Sequence, residues 1–346
     1  MRNRKFQCML CAAALIFLNV FAFSEGSKEG DSGQAKDGTY MLEIYTFQNG
    51  TSTYVQGVAL ADLINQNSTW LHASAMESPG PNETARLLLS DPEKQTHAIG
   101  YVIIQDVLLG LPPFDGPNED LRGIASYGLV SNCFITNNPS IKTLRDLEGK
   151  KVGLGTKPNM PRVDIPLKTF EIMGIDVKSE YLTFGAAVEA LVNHKIDALI
   201  GGGFARNPDA TDWAPNPALA ELMARDTINY ISFEKKSLLE AKKFLGHELM
   251  PGVLTIPAGK YDPEFNKPIT LMADYLGWSC HKNLPDRVVK EILRIMMANT
   301  SKFADYLPTG AYITPETMAM LDTPEYIHPA AEEFYRENAI PIRQRQ

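Results

Sequence analysis

Residues 140–155, SIKTLRDLEGKKVGLG, and residues 185–200, GAAVEALVNHKIDALI, bracket a repeating unit of strand and helix. The first reads as a capped single helical turn closed by Gly149, followed by a strand over Val152–Gly155. In the second, a helical pattern over Gly185–His194 runs into a buried strand, Ile196–Ile200. With a helix from about Arg162 to Met173 and a strand near Tyr181 between them, the stretch reads βαβαβ, which predicts an α/β protein with open sheets.

Outward from this unit the alternation continues. Thr39–Phe47 reads as a strand, Gln48-Asn49-Gly50-Thr51-Ser52-Thr53 as a turn of small and hydroxyl residues, and Tyr54–Gln66 as a helix. Trp70–Met76, His97–Ile104, Gly123–Leu129 and Asn132–Thr136 are expected strands, and Asn82–Leu89 a short helix. Met250–Pro257 is another extended apolar run. Beyond it the pattern is mostly helical, clearest over Pro285–Ala298 and Pro329–Glu337. The 346 residues suffice for two domains, and 44% hydrophobic with 21% charged residues excludes a disordered, collagen-like or multi-span membrane chain.

The first residues have a different character. Arg2, Arg4 and Lys5 precede an apolar run of 16 residues, Cys8–Phe23, broken only by Asn19, and Ala22-Phe23-Ser24 has small residues where a signal peptidase reads. These features predict an export signal over 1–24 and a polar tether over 25–38. A retained anchor is the alternative, although the run is shorter than the ~20 apolar residues that a spanning helix needs. Without residues 1–24, Lys and Arg fall from 33 to 30 against 41 Asp and Glu, a net charge of −11. Nucleic acid and anionic lipid are poor partners for such a surface. Cys133 and Cys280 remain, which permits one bridge or two buried thiols but no zinc cluster.

Catalytic and metal signatures fail on inspection. Gly246-His247-Glu248 begins like a zinc-protease helix but lacks a second histidine four residues on, and no Gly-x-Ser-x-Gly elbow is present. No catalytic residue, metal site or cofactor is expected. What remains is a set of strand-to-helix turns, Gly50–Tyr54, Ser78–Asn82 and Thr156–Arg162, with Gln105-Asp106 after another strand. Unpaired N–H groups at helix starts bind anions, and ligands of open α/β sheets sit at the carboxyl ends of strands. Thr51, Ser52, Tyr54, Asn82, Gln105, Thr156 and Arg162 are therefore the candidate ligand-binding residues. Arg162 would supply a bidentate guanidinium to a carboxylate; a surface Arg162 paired with Asp164 or left solvated is the competing reading.

The export signal, the turn Gly50-Thr51-x-x-Tyr54 with Gly57, Gly80 before a helix, Gln105-Asp106, and Asp146-Leu147-x-Gly149-Lys150 with Val152 together resemble periplasmic substrate-binding proteins of the second structural type. Ile256-Pro257-Ala258-Gly259-x-Tyr261, Trp213-Ala214-Pro215-Asn216-Pro217 and Tyr326-Ile327-His328-Pro329-Ala330-Ala331-x-x-x-Tyr335-x-Glu337 narrow the resemblance to the TAXI family, the binding subunits of TRAP transporters. The sequence departs from that family at Ser52-Thr53, at Gly80-Pro81-Asn82-Glu83-Thr84 and at Asn159-Met160-Pro161, and Phe204–Thr211 reads as an insertion.

The resemblance implies a two-lobed α/β protein of the type II periplasmic-binding-protein fold, with two open mixed sheets joined by crossing hinge strands near Asn132–Ile135 and Gly252–Ile256. Lobe one would take residues 39–131 plus 256–346, and lobe two 132–255. The implied role is non-catalytic: a monomer in the periplasm captures a small anionic molecule, an amino acid such as glutamate or a 2-oxo acid or dicarboxylate, for TRAP membrane permease subunits. An ABC-linked or sensor-linked binding protein of the same fold, and a secreted enzyme using Cys133 or a carboxylate pair, are the alternatives.

Overall fold

The computed structural model describes residues 38–47, 51–157, 159–205, 213–215, 217–248, 251–260 and 265–344. The expected export signal, nearly all of the tether, Gln48–Gly50 of the first turn and most of the Phe204–Thr211 segment lie outside these residues. Twelve strands form one curved mixed sheet: β1 (Tyr40–Tyr45), β2 (Leu71–Met76), β3 (Ala98–Gly100), β4 (Leu121–Thr136), β5 (Lys151–Leu154), β6 (Lys178–Tyr181), β7 (Ala198–Gly201), β8 (Gly203–Ala205), β9 (Ala214–Pro215), β10 (Asn229–Ile231), β11 (Gly252–Ile256) and β12 (Ile269–His281). The main path runs β2-β1-β3-β12-β4-β7-β5-β6. Strands β2, β1 and β3 are parallel to one another, as are β7, β5 and β6, and each set continues through antiparallel pairing to the central strands β12 and β4.

Local chemistry explains the elements around the sheet. Helix α1 (Ser52–Asn67) starts where the Thr51 hydroxyl accepts the Tyr54 N–H at 3.2 Å. Helices α2 (Pro81–Ser90), α3 (Lys94–His97) and α4 (Ile104–Leu108) follow on the same half of the sheet. The turn Leu144–Leu147 is held by a capping box between Thr143 and Asp146, and Gly149 leaves it in the left-handed region. Helices α5 (Ile165–Met173), α6 (Phe184–Val192), α7 (Pro217–Arg225) and α8 (Lys235–Phe244) belong to the second half. Helix α9 (Asp286–Ala298) buries Val288, Val289, Ile292, Leu293 and Met296 along one face. The short α10 (Pro315–Met318) precedes α11 (Pro329–Glu337), which His328 caps by accepting the Ala330 N–H while its Nε2 lies 3.1 Å from the Leu284 carbonyl. Among the described residues no helix is long and apolar enough to cross a membrane.

The apolar side chains gather in separate cores. One, with Leu42, Ile44, Leu60, Trp278, Val289 and Tyr335, packs α1, α9 and α11 on the first half of the sheet. A second, with Phe134, Val152, Phe170, Ile200, Phe233 and Met272, packs α5 and α8 on the other half. A third covers the opposite face of the central strands and includes Leu129, Cys133, Leu199, Tyr230 and Tyr275. Cys133 and Cys280 are both buried and are not joined in a disulfide.

Three expectations are corrected. Gly123–Leu129 and Asn132–Thr136 are parts of one 16-residue strand, β4. After Pro257 the helices α9 and α11 stand where expected, but the 13-residue strand β12 precedes them, and β12 rather than Gly252–Ile256 is the second crossing element. It pairs with β4 from Met272↔Asn132 to His281↔Leu121, whereas β11 only doubles the first part of β12. The strand expected over His97–Ile104 is confined to β3, so Gln105 and Asp106 lie inside α4 rather than directly at the end of a strand.

Phe134, fully buried on β4, has the rings of Phe170 and Phe233 at centroid distances of 5.2 and 5.3 Å. Replacing it with alanine removes contacts from three elements at once, so Phe134→Ala should lose about 3–5 kcal/mol in urea unfolding. A loss below 1 kcal/mol would mean that this core does not hold the crossing strand, taking ~1 kcal/mol as the scale of an ordinary substitution.

Candidate functional site

Side chains alternate along a paired strand, so Val130, Asn132 and Phe134 of β4 share a face. The register Met272↔Asn132 and Asp274↔Val130 puts Met272, Asp274 and Leu276 of β12 on that same face. Phe134 and Met272 belong to the core of the second half, Leu276 to that of the first, and Val130 packs against the first. Between these apolar ends lie Asn132, 2% exposed, and Asp274, 9% exposed. The central face is thus apolar at both ends and polar in the middle. Asn132 and Asp274 are diagonal neighbours across the ladder, within reach of a shared partner.

Arg162 reaches this polar seam from the second half. Its Nε donates to Asn132 Oδ1 at 3.0 Å, and its Cζ lies 5.5 Å from the centroid of the Phe184 ring. The placement comes from the turn after β5. Asn159 Oδ1 accepts the Arg162 N–H at 3.0 Å, and Met160–Asp164 forms a wide π-helical turn leading into α5. A Cβ on Gly155 would come within 2.9 Å of Asn159 Nδ2 and 3.0 Å of Arg162 Cβ, so glycine lets this turn fold back on the strand end. Burial pushes the Arg162 pKa down, while the nearby Asp274 carboxylate opposes that shift.

The first half contributes Tyr101 and α4. Tyr101, 8% exposed, has the Phe47 ring 5.5 Å away, and burial pushes its phenol well up. Gln105 and Asp106 are 4% and 5% exposed. Asp106 Oδ1 lies 3.7 Å from Nδ1 of His247, which follows α8 in the second half, so this contact spans the two halves. Neither atom has a hydrogen-bond partner among the described residues. Burial, with the charge of Asp274 adding to it, pushes the Asp106 pKa up to about 7. Burial followed by the Lys242 charge pushes His247 down.

The residues singled out from the sequence fall in three places. Arg162 is on the seam, paired with Asn132 rather than with Asp164. Ser52, at the start of α1, lines a small cavity with Gln56, Tyr127 and Phe204, while Thr51 serves as the α1 cap and Tyr54 follows on the helix. Gln105 lines a second cavity with Ser126, Trp278 and Thr323. The side-chain oxygens of Gln56, Asn82 and Gln105 are buried without a hydrogen-bond partner among the described residues. Thr156 is exposed beyond β5, and no contact brings it to the seam. Asn132, Asp274, Tyr101 and the Asp106–His247 contact were missed as site features. Their one sequence signal is a lone polar residue inside a long apolar strand. Among the described residues no group of three or more His, Cys, Asp and Glu side chains is placed to hold a metal ion.

A mixed sheet with two long crossing strands, a core on either side and a polar seam between them defines the type II periplasmic-binding-protein fold. The chain belongs to the NMT1-like family, whose model matches residues 44–338. It is similar to a solved structure described as a periplasmic transporter, at 14% identity over 88% of this chain and 93% of that one, with a TM-score of 0.49. It is also similar to MatC from Rhodopseudomonas palustris with bound malate, at 14% identity over 88% and 98% of the two chains, with a TM-score of 0.47. A TctC solute-binding protein from Polaromonas matches at 14% identity over 88% and 97%, with a TM-score of 0.44. No curated protein matches the chain.

The raised Asp106 carboxyl makes stability depend on pH. Its proton is held to about pH 7 in the fold but only to about 3.8 in an ordinary aspartate, so the folded state binds more protons in that window. The stabilisation is complete below the lower value and is lost as pH rises toward the upper one. Asp106→Asn cannot titrate and should therefore gain on the parent by about 3 kcal/mol between pH 5 and 8, at ~1.4 kcal/mol per pKa unit. Urea unfolding at the two pH values tests this; parallel changes in both proteins would refute it.

Proposed function

We propose that the protein is an extracytoplasmic solute-binding subunit of a TRAP-type secondary transporter, of the TAXI kind, and that it captures a small carboxylate for membrane permease subunits. The ligand class is an amino acid such as glutamate, or a 2-oxo acid or dicarboxylate. The observation that carries this reading is the Arg162 guanidinium drawn onto Asn132 at the centre of the crossing strands, where a carboxylate could meet it away from bulk water. The order of motifs from Gly50-Thr51 to His328-Pro329 supports the TAXI assignment.

In this reading lobe one comprises residues 39–131 and 256–346 and lobe two residues 132–255, except that the first part of β12, up to about Asp274, goes with lobe two, so that β4 and β12 both join the lobes. Ser52, Tyr54, Asn82 and Gln105 face the ligand from the first and Arg162 from the second, whereas Thr51 acts as the α1 cap and Thr156 lies exposed beyond β5. The protein works as a monomer that closes on its ligand by hinge motion and passes it on unchanged. Residues 1–24 direct export and are removed, and residues 25–38 act as a tether.

Two measurements test these statements. Mass spectrometry of the native protein should show a chain beginning at or near Glu25; an intact Met1 would refute the cleaved signal. Calorimetry with the carboxylate bound by the parent should show Arg162→Ala weaker by about 2–5 kcal/mol, as for truncation of a buried charge pair, and Arg162→Lys only partly restored. A folded Arg162→Ala protein that binds within about a factor of two of the parent would exclude Arg162 from the site, since a lost charge-assisted contact costs ~1.5 kcal/mol or more.

A further inference from the structure

The two halves also meet outside the β4–β12 ladder. Asp106 of α4 and His247, which follows α8, come from different halves, yet they are 5% and 9% exposed and have Oδ1 and Nδ1 3.7 Å apart. The chain around them meets as well, since a Cβ on Gly246 would lie 3.7 Å from Cδ2 of Leu111, just beyond α4. Gly246, with φ +78, turns the chain at the end of α8, and the His247 N–H donates to the Lys242 carbonyl at 2.9 Å. That turn brings the imidazole to the first half. Neither Asp106 Oδ1 nor His247 Nδ1 has a hydrogen-bond partner among the described residues. A carboxylate oxygen and an unprotonated imidazole nitrogen both only accept, so the contact becomes a bond only with a proton between them.

The surroundings decide which atom holds that proton. Burial disfavours charge on either group, and the neighbours add to it: the Asp274 charge on β12 opposes a second carboxylate at Asp106, and the Lys242 charge on α8 opposes an imidazolium at His247. Tyr101, which the Asp106 charge also reaches, keeps its phenol neutral. The buried pair is therefore favoured as a carboxylic acid and a neutral imidazole. In water the preference is reversed, because an ordinary aspartate is ionised above about 3.8 and an ordinary histidine is protonated below about 6.5. We propose that the Asp106–His247 contact is a proton-exchange latch: as the lobes close, the His247 imidazolium gives its Nδ1 proton to the Asp106 carboxylate, and the closed contact is a neutral O–H···N hydrogen bond. The inference rests on the closing motion of the reading above and adds a control on it. One N–H bond breaks and one O–H bond forms, so the exchange by itself neither takes up nor releases a proton. Above about pH 7 the buried carboxyl loses its proton, and closing then confines a carboxylate near Asp274, so the latch weakens as pH rises through that value.

Pulsed electron paramagnetic resonance on the purified protein tests the latch, with spin labels on Asp115→Cys in the first lobe and Leu239→Cys in the second, both exposed positions. The closed-to-open ratio is read from about pH 5 to about pH 8.5 in the labelled parent and in Asp106→Asn and His247→Asn. His247→Asn keeps only the carboxyl, so its ratio should rise by about tenfold per pH unit as pH falls below 7. Asp106→Asn keeps only the imidazole, which must shed its proton to be buried, so its ratio should fall as pH drops below about 6.5. The parent, in which one group's proton serves the other, should lie between them. Should either variant not fold, Asp106→Ser or His247→Gln, which also cannot titrate, takes its place. Two distances whose ratio follows the same pH profile in all three proteins would overturn the latch and leave the closing motion standing. A single distance in every protein at every pH would overturn both.

Discussion

The antiparallel ladder between β4 and β12 is the constraint on which the remaining structure depends. Both strands run through the two halves of the sheet, so one register fixes which residues of each half share a face. A slip of one residue would exchange every side chain between faces, sending Phe134 and Met272 out of their core and Asn132 and Asp274 out of the seam together. The packing of Phe134 between Phe170 and Phe233, and of Trp278 against Tyr127 at 4.6 Å, holds that register at both ends. Fold and site are therefore not independent here, because the apolar contacts that stabilise the ladder also set the position of its polar middle.

That middle is expensive by the ordinary rules of burial. An amide, a carboxylate and a guanidinium in apolar surroundings each lose hydration, which contacts such as the hydrogen bond from Arg162 to Asn132 must offset. Outside the seam, the buried side-chain oxygens of Gln56, Asn82 and Gln105, without hydrogen-bond partners among the described residues, add a similar cost. A protein selected for stability alone would fill these positions with hydrophobic residues. Local conflict of this kind concentrates where a molecule binds, which is why the seam is a better guide to function than any element of regular structure around it.

Elements set by local chemistry were legible in the sequence. Pro329–Glu337 has its cap, its N-terminal proline and its apolar face within one stretch, and the turn closed by Gly149 has its capping pair and its glycine within seven residues. Arg162 was legible as well, because it follows a strand end and precedes a helix. Strand β12 was not. Its sequence, ITLMADYLGWSCH, is buried on both faces and so has no period of two, and nothing local says that it crosses the molecule. Asp274 stayed hidden inside it for the same reason. Asn132 could be placed on a crossing strand but not opposite Arg162, since that contact depends on the π-helical turn after β5. The Asp106–His247 contact joins two short segments far apart in the chain, and neither one carries a sign of the other.

The irregularities of the ladder bear on the proposed closing motion. Both register shifts, at Leu276/Gly277 and at Trp278/Ser279, lie on the side of Asp274 toward the first half, and Gly128, with φ +148, stands opposite Leu276. Bulges bend a strand locally and increase its twist, and a glycine in that conformation accepts what a side chain would resist. Between Asn132 and Asp274 the pairing is regular. Bending confined to the bulged segment would leave Arg162 seated on Asn132 while Tyr101 and α4, fixed to the first half, approach or withdraw. The Asp106–His247 contact would then form only on approach, with the carboxyl and the imidazole both desolvated by the same movement. In the proposed closing motion the cost of burying those groups would be offset by charge that a ligand adds to the seam, so that binding and motion would act through the same few residues.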